Sequence, residues 1–288
     1  MSPRDITRAL LVVVIWGLAF VATRIGLDDL SPAQLAAARF VIAAVPALVL
    51  ARPAVPWTML IAVGLTLFAG QFLLQFFGIA GGMPPGLASI VVQTQALFTI
   101  VFATLLLRER PTPRQTLGVA LGLAGLAAIA LTVGADLTLV GFALTLGSAI
   151  SWAVGNLLLK RLPPTSTLEL MVWLSLVPPI PALVLALAVD GASGIAHALA
   201  AITWRGLGAV LYLGAVATVV AYAIWGDLLR RYPTAAVTPF ALLVPFVAAA
   251  GSAVVFGERF GALRLVGMAL VLVGLAVIVV PAGRRVVV

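Results

Sequence analysis

The chain has 288 residues, of which 63% are hydrophobic and only 9% are charged. Soluble domains carry about 25% charged residues, and a soluble globule of this length has too small an interior to hide so much apolar surface. A disordered chain is excluded as well, because disordered segments are poor in hydrophobic residues. The composition therefore predicts an integral membrane protein, for which the remaining solvent is lipid.

The reactive and charged residues narrow the function further. The absence of cysteine excludes disulfide frameworks, thiolate nucleophiles and Cys-ligated metals, and the single histidine, His197, leaves no histidine cluster for a metal. Lys and Arg outnumber Asp and Glu by 17 to 9, and they are scattered among apolar runs. That distribution favours loops against an anionic cytoplasmic membrane surface over nucleic-acid binding. We expect no metal and no cofactor, and membrane lipids rather than nucleic acid as partners.

Ten segments are apolar over about 20 residues, the length of a membrane-spanning helix. Short turns rich in Gly, Pro and Asp separate them, and turns this short require neighbouring helices to pack antiparallel. The predicted fold class is therefore an all-α membrane protein of ten transmembrane helices. The predicted spans are residues 6–27, 32–51, 57–80, 85–107, 114–133, 138–159, 167–189, 204–228, 234–256 and 262–281.

The distribution of Lys and Arg over the loops predicts the orientation. With the N-terminus in the cytoplasm, twelve of these residues fall on the cytoplasmic side, Arg284 and Arg285 among them. Only Arg24, Arg205, Arg259 and Arg264 fall on the outer side, and Arg39 lies within a span. Because cytoplasmic loops carry the excess of positive charge, both termini are predicted to face the cytoplasm.

The two halves of the sequence resemble each other. Trp16 to Arg24 reads WGLAFVATR, and 136 residues later Trp152 to Lys160 reads WAVGNLLLK. A stronger match lies at an offset of 149 residues, where Glu109, Arg110, Gly118, Gly125 and Ile129 correspond to Glu258, Arg259, Gly267, Gly274 and Ile278. Each half holds five spans, and an odd number makes the second half enter the membrane from the opposite side. The predicted domains are two inverted five-helix repeats, residues 1–136 and 137–288, around a central substrate site, a design typical of secondary transporters.

The paired motifs ERPTPRQTLGVALGLAG, from Glu109, and ERFGALRLVGMALVLVG, from Glu258, extend the comparison to a known family. With ten spans in two halves, the chain resembles over its whole length the EamA-type branch of the drug/metabolite transporter superfamily. Within that branch it is similar to the YddG-type exporters of aromatic and other neutral amino acids, and the resemblance implies efflux from a bacterial inner membrane. Pro245 of the second half has Ala96 as its counterpart in the first. A symmetric pair of proline kinks is therefore not implied.

Helical spacing groups aromatic and amide side chains that could line a central cavity. Aromatic rings would stack on a substrate ring, and amides offer donors and acceptors without fixed charge. Four glutamines in the third and fourth spans are costly in lipid unless they face protein or water. Helical periodicity places Gln95 on a different helix face from Gln93. The predicted substrate-binding residues are Trp16, Phe20, Arg39, Gln71, Phe72, Gln75, Gln93, Trp152, Asn156, Thr218, Tyr222, Thr238 and Phe246. For each of them, helix–helix packing is the alternative interpretation.

Prolines and charges within the spans complete the site hypothesis. Pro178, Pro239 and Pro245 would kink helices and free carbonyl groups, so we interpret them as gating hinges. Arg39 is the one cation deep in a span; it either bonds carbonyls and glutamines or meets a substrate carboxylate. All nine acidic residues lie in loops or near helix ends. The sequence therefore offers no mid-membrane carboxylate for proton coupling, and no P-loop for ATP.

The sequence favours an exporter of small amphiphilic metabolites, most of all aromatic and other neutral amino acids, that works by alternating access. Export of drugs or other metabolites is the first alternative. A carrier of nucleotide-sugars or phosphorylated metabolites would need several cavity cations to meet phosphate. A membrane-embedded enzyme lacks an acid–base pair or metal site, so we expect no enzyme; a channel is the last alternative. The sequence is compatible with a monomer and does not fix the oligomeric state.

Overall fold

The structure, a computed structural model, describes residues 1–134 and 136–280. All regular elements in these residues are helices, which confirms the all-α prediction. In chain order they are α1 Pro3–Gly26, α2 Pro32–Leu48, α3 Trp57–Ala80, α4 Pro85–Leu107, α5 Pro113–Ala130, α6 Leu139–Leu159, α7 Thr167–Val189, α8 Gly191–Ala201, α9 Trp204–Arg231, α10 Thr234–Phe256 and α11 Ala262–Val279.

Eight of these helices are long and apolar enough to cross a membrane, namely α1, α3, α4, α6, α7, α9, α10 and α11, and α2 is a shorter apolar helix. The chain is therefore a multi-pass membrane protein. Each predicted span overlaps one helix, and the last predicted residue, Pro281, lies outside the described part. The short helix α8 is not predicted by the sequence pattern, because GASGIAHALAA carries three residues that favour loops within its first four.

Local sequence determines where the helices begin. Ser31 is the N-cap of α2 and Thr112 is the N-cap of α5, each in a capping box. The hydroxyl of the cap residue accepts a hydrogen bond from the N3 backbone amide, and the side chain of the N3 glutamine accepts one from the backbone N–H of the cap residue. Helices α4 and α10 begin differently. Each follows a proline, Pro84 or Pro233, with nearly the same backbone angles and no side-chain cap from its own chain segment.

Five of the long helices depart from regular α-geometry within their length. A π-helical segment interrupts α3 at Gly64–Gly70 and α9 at Tyr212–Val220, and these two segments overlap when shifted by the 149-residue offset. Helix α7 is broken by turns between Leu174 and Pro179. Helix α10 runs as a 3₁₀ helix over Thr238–Leu243 before its regular part. π-bulges and 3₁₀ segments inside long helices are frequent at functional sites.

Helix α4 is also interrupted, at Thr94, although it contains no proline there. Thr94 is fully buried, and its hydroxyl donates to the carbonyl of Val91 at 2.5 Å. Such local side-chain bonds compete with the helix ladder and bend helices. Thr94 corresponds to Leu243, the last residue of the 3₁₀ segment in α10, at the 149-residue offset. Both helices therefore bend at matching positions, with a proline in only one of them.

The glycines of the sequence repeat form the contact between α5 and α11. A Cβ placed on Gly118 would lie 2.6 Å from the carbonyl of Gly274, and one on Gly274 would lie 2.5 Å from the carbonyl of Gly118. In the same way, a Cβ on Gly125 would lie 2.5 Å from the carbonyl of Gly267, and one on Gly267 would lie 2.8 Å from the carbonyl of Gly125. Only glycine permits such a close approach of two helix backbones, as is common in membrane helix pairs.

The bundle has two ends, and we name each of them after its glutamate. The Glu258 end holds Glu258, the start of α4 and the end of α1. The Glu109 end holds Glu109, the start of α10 and the end of α6. Helices α1 and α10 run parallel, because Gly17 packs on Val244 and Gly251 packs on Val21.

Candidate functional site

A cavity of about 250 Å³ lies inside the bundle, where the irregular segments of α3, α4, α9 and α10 meet α1, α2 and α6. Aromatic rings and side-chain amides dominate its wall, together with one cation. The lining residues are Trp16, Ala19, Phe20, Thr23, Arg39, Gln71, Phe72, Gln75, Ser89, Val92, Gln93, Gln95, Trp152, Ala217, Tyr222, Trp225, Ala241 and Val244.

The structure brings together most of the predicted substrate-binding residues. Nine of them line the cavity: Trp16, Phe20, Arg39, Gln71, Phe72, Gln75, Gln93, Trp152 and Tyr222. Asn156 lies one contact away, since its amide donates to Oε1 of Gln95 at 2.6 Å. Thr218 is buried behind Arg39 and accepts its hydrogen bonds. Their role in binding substrate stays a prediction.

The structure places Thr238 and Phe246 away from the cavity. The hydroxyl of Thr238 donates to the carbonyl of Thr234 within α10. Phe246 is 57% exposed and lines a separate apolar groove on the bundle surface beside Pro245. The hinge prolines all lie at breaks in helices: Pro178 precedes the second part of α7, Pro239 lies in the 3₁₀ segment, and Pro245 follows it.

Three aromatic residues form one wall of the cavity. The ring of Trp16 lies 5.4 Å from that of Tyr222 and 5.1 Å from that of Trp225, centroid to centroid, in tilted arrangements. The indole N–H of Trp16 donates to the carbonyl of Ala217 at 3.0 Å, inside the π-helical segment of α9. This bond fixes the indole and leaves its ring beside the cavity. Helical spacing groups Trp225 with Thr218 and Tyr222 on one helix face, and the structure places Tyr222 and Trp225 in the cavity wall.

The amide side chains form another part of the lining, and each is held by a bond to protein. Gln71 donates to Gln75 at 2.9 Å, and Gln93 donates to the carbonyl of Ala241 at 3.1 Å. Because a primary amide has two donor hydrogens and an acceptor oxygen with two lone pairs, these bonds leave further capacity for a polar ligand. This part of the lining is therefore both ordered and able to bind.

The prediction that Gln95 faces away from the cavity is wrong. That prediction assumes an uninterrupted helix, but α4 is broken at Thr94, between Gln93 and Gln95. The break turns the second part of the helix, so both glutamines line the cavity. Gln95 also accepts the hydrogen bond of Asn156, which links α4 to α6.

Arg39 provides the positive charge of the cavity. It is 4% exposed and lies mid-way along α2. Its Nε and Nη2 donate to the hydroxyl of Thr218 at 3.3 and 3.2 Å, and its guanidinium carbon lies 3.9 Å from the ring centroid of Phe72. The hydroxyl and the aromatic face hold the guanidinium in place.

Carboxylates near the helix ends tie the loops together. At the Glu258 end, hydrogen bonds from Thr203 lower the pKa of Asp29, and hydrogen bonds from Arg264 lower the pKa of Asp136. Burial raises the pKa of Glu258, and bonds from Ser252 and from two backbone amides oppose that shift. Within residues 1–134 and 136–280, no three His, Cys, Asp or Glu side chains cluster as metal ligands would.

Comparison with known proteins gives a consistent result over the whole chain. Residues 6–131 and 139–280 each match the sequence profile described as "EamA-like transporter family". A solved crystal structure superposes with a TM-score of 0.62 over 96% of this chain and 97% of that chain. At 18% sequence identity, this likeness shows the fold alone.

Curated relatives cover nearly the full length. The chain is 42% identical over 282 residues to a "Probable amino-acid metabolite efflux pump" of Salmonella typhimurium, across 96% of this chain and 94% of that protein. The Escherichia coli protein of the same description matches equally well, with the same identity and coverage. A "Probable terminal-alkyne amino-acid exporter" of Streptantibioticus cattleyicolor is 31% identical over 93% of this chain and 91% of that protein.

Proposed function

Because the chain belongs to the EamA-like transporter family, we propose that it exports small amphiphilic metabolites, most of all aromatic and other neutral amino acids. The single observation that carries this proposal is the cavity, whose lining combines aromatic rings with side-chain amides inside a membrane bundle. Rings can stack on an apolar or aromatic side chain, and amides can bond both charged groups of a zwitterion. The names of the relatives, an amino-acid metabolite efflux pump and an amino-acid exporter, agree with this substrate class.

The proposed mechanism is alternating access between two inverted repeats of five spans each, residues 1–136 and 137–288. Three features support the repeat: the reciprocal glycine contacts of α5 and α11, the π-segments of α3 and α9, and the matching bends of α4 and α10. Residues from both proposed halves line the cavity, which agrees with transporters that bind substrate between inverted repeats. The breaks at Pro178, Pro239 and Pro245 supply the hinges.

The proposed location is a bacterial inner membrane with both termini in the cytoplasm. The excess of Lys and Arg at the Glu109 end supports this orientation, which makes the Glu258 end the outer one. The residues Arg284 and Arg285, which contribute to this excess, lie outside the described part of the chain.

One observation weighs against the carriers of phosphorylated compounds. Phosphate recognition calls for several cations, whereas Arg39 is the one Lys or Arg among the residues that line the cavity. Transport rather than catalysis is also what the family and the names of the relatives support.

Proteoliposome counterflow tests the proposed function. Vesicles loaded with unlabelled L-phenylalanine or L-leucine should take up the same labelled amino acid faster than empty vesicles, because a carrier exchanges substrate across the membrane in a way that a channel does not. Tyr222→Ala should raise the KM by about 10-fold, since a stacked aromatic contact is worth roughly 1 kcal/mol or more. Phe246→Ala, on the bundle surface, is the matched control and should change KM little. Equal effects of the two variants, or no saturable uptake of any amino acid, would contradict the proposal.

A further inference from the structure

Two arginines are buried among the residues that the structure describes, and only one of these two has a carboxylate partner there. Arg264 is 5% exposed and pairs with Asp136, with Nη2–Oδ1 and Nη1–Oδ2 distances of 2.5 and 2.9 Å. Arg39 is 4% exposed and belongs to none of the ion pairs formed within the described residues. No Asp or Glu lines the cavity that Arg39 faces. The charge of Arg39 is therefore left without an anion among the residues that the structure describes.

An unpaired cation at mid-membrane is costly, and such residues mark substrate or ion pathways. The contacts of Arg39 orient it without neutralising it, because Thr218 offers a single hydroxyl oxygen and Phe72 only its ring face. Nη1 of Arg39 makes no hydrogen bond to any of the described residues, and it is not fully buried among them. It can therefore be reached from the cavity.

We propose that Arg39 binds the carboxylate of the transported substrate, so that the site selects amphiphiles that carry a carboxylate beside an apolar or aromatic group. The inference rests on the proposed transport function and names its specificity-determining residue. The planar guanidinium matches a carboxylate with two parallel N–H···O bonds. The aromatic wall then receives the apolar part, and the same positive charge repels cationic amphiphiles that lack an acid group.

Matched pairs of substrates test this role. In counterflow, the wild-type protein should prefer L-phenylalanine over 2-phenylethylamine, and L-leucine over 3-methylbutylamine, by about 10- to 100-fold in kcat/KM, the value of a charge-assisted bond. Arg39→Gln should bring this ratio close to one, mainly by raising the KM of the amino acid. Arg39→Lys keeps the charge but loses the forked geometry, so it should give an intermediate ratio.

Arg264→Gln is the control, because it removes the other buried arginine. It should lower the amount of folded protein but leave the substrate ratio at the wild-type value. If Arg39→Gln does not fold, the ratio of Arg39→Lys decides. Wild-type protein that transports the acid and the amine equally well, or an unchanged ratio in the Arg39 variants, overturns the inference but not the proposed function. Absence of transport of every compound overturns the proposed function, and the inference with it.

A second inference comes from the opposite ends of the bundle. The carboxylate of Glu258 accepts from the backbone amides of Gly86 and Leu87 at 2.9 and 3.2 Å, and also from the hydroxyl of Ser252. It thereby caps the N-terminus of α4, which has no cap of its own. A carboxylate at this position also complements the helix dipole. Glu258 thus joins the loop after α10 to the start of α4.

Glu109 occupies the matching position of the first repeat but makes no such cap. Both its oxygens accept from Nζ of Lys160, at 3.1 and 3.2 Å, in a pair that is about half exposed on both sides, at 51% and 48%. The counterparts of Gly86 and Leu87 at the 149-residue offset are Ala235 and Ala236, which start α10 and are exposed. A small cavity of about 80 Å³ lies beside Glu109.

The geometry points to two caps that form alternately. In this structure Glu258 caps α4 and Glu109 does not cap α10, and each cap is inferred to close its own end. In the opposite state Glu109 would leave Lys160 and cap α10 through the amides of Ala235 and Ala236, while Glu258 would release α4. This inference rests on the inverted repeat of the proposed mechanism.

Cysteine labelling tests the alternation, because the chain contains no cysteine of its own. The reporter is Ala19→Cys, which places a thiol in the cavity wall, and the probe is a membrane-impermeant maleimide added to oriented vesicles at the Glu258 side. Glu258→Gln should raise the labelling rate about 2- to 10-fold, as expected for a weakened helix cap. Glu109→Gln should lower it, because the state open at the Glu258 end loses its cap.

The opposite signs are the informative result. A merely structural role of either carboxylate would change the labelling rate from both membrane sides in the same direction. Shifts of the same sign in the two variants, or no shift in either, overturn the alternation and leave the transport function untouched. If Glu258→Gln does not fold, Glu258→Asp, with its shorter reach, should give the same increase.

Discussion

The two ends of the bundle are built from matching sequence yet differ in their contacts. At the Glu258 end, the start of α4 packs against α10, and a Cβ on Gly86 would lie 3.0 Å from Cα of Ala249. At the Glu109 end, the matching pair is Ala235 and Ile100, and Ile100 lines the small cavity instead. The same motif therefore supports a capped and an uncapped arrangement within one molecule.

The difference shows what is fixed and what is free to move. Helices α5 and α11 contact each other through glycines, and each of the two helices contributes the corresponding glycine positions. Packed interfaces of this kind move as rigid units. The start of α4 is capped by a few hydrogen bonds to a carboxylate, and the start of α10 has no such cap. Elements held by so few contacts lie at the low-stability end of a structure, from which moving parts are drawn.

Substitution of Gly86 should have the largest effect on this asymmetry. A side chain there would collide with Oε2 of Glu258 at 2.8 Å and with the backbone of α10. Overpacking of this kind costs about 1–3 kcal/mol, so Gly86→Val should shift the population away from the closed Glu258 end by about 5- to 100-fold. Labelling of Ala19→Cys from the Glu258 side measures this shift.

Ala235→Val is the matched control for Gly86→Val, because Ala235 is the exposed counterpart at the Glu109 end. It should leave the present state intact and hinder only the opposite closure, so labelling from the Glu258 side should fall. If both substitutions changed the labelling rate equally, the two ends would not be exchangeable. That result would contradict the comparison between the Glu258 end and the Glu109 end.

Replacing Ser252 with alanine, the residue type of its counterpart Ala103, should have a smaller effect on the state of the Glu258 end. Ser252 donates to the carboxylate of Glu258, whereas Ala103 lies beside Glu109 and offers no hydroxyl. A hydrogen bond to a charged group is worth about 1.5–3 kcal/mol, and part of that is recovered when water replaces it. Ser252→Ala should therefore open the Glu258 end by about 3- to 10-fold in the labelling assay.

Ala103→Ser is the reciprocal change and should strengthen the closure of the Glu109 end. In the double variant the two shifts should add, since both favour the state that is open at the Glu258 end. If Ala103→Ser leaves labelling unchanged while Ser252→Ala alters it, Glu109 does not form the cap that Glu258 forms.

Much of the site can be predicted from helical periodicity. The helices are long and apolar, so polar and aromatic residues at i, i+4 spacing, such as Trp16 with Phe20 and Gln71 with Gln75, share a face that avoids lipid. The structure places all four in the cavity wall. The sequence repeat likewise singles out the glycines of α5 and α11, and a close helix contact is found there.

The remainder cannot be predicted because periodicity fails where helices break. It assigns Gln95 to the wrong face, since the bend at Thr94 arises from a threonine and not from a proline. Phe246 follows Pro245 directly, and the change from 3₁₀ to α-geometry there turns it to the bundle surface. The hydrogen bond from Trp16 involves a carbonyl in a π-helical segment, which no side-chain pattern reveals.

Breaking the ion pair between Asp136 and Arg264 should have the smallest effect of these changes. It should alter the stability of the protein and not the state of the two ends. Asp136 is half exposed, at 54%, so its loss should cost about 1 kcal/mol or less. Asp136→Asn should therefore lower the melting temperature in detergent by about 2–4 °C at pH 7.

The pH dependence of this difference separates charge from packing. The hydrogen bonds from Arg264 hold the pKa of Asp136 below 3.8. A carboxylate with a lowered pKa stabilises the fold above its ordinary pKa, and the contribution disappears as the pH falls through the lowered value. The melting temperatures of wild type and Asp136→Asn should therefore converge as the pH falls below about 4. Arg264→Gln should abolish the same pH-dependent difference, whereas a difference that persists near full protonation of the carboxylate would show that Asp136 acts through packing and not through its charge.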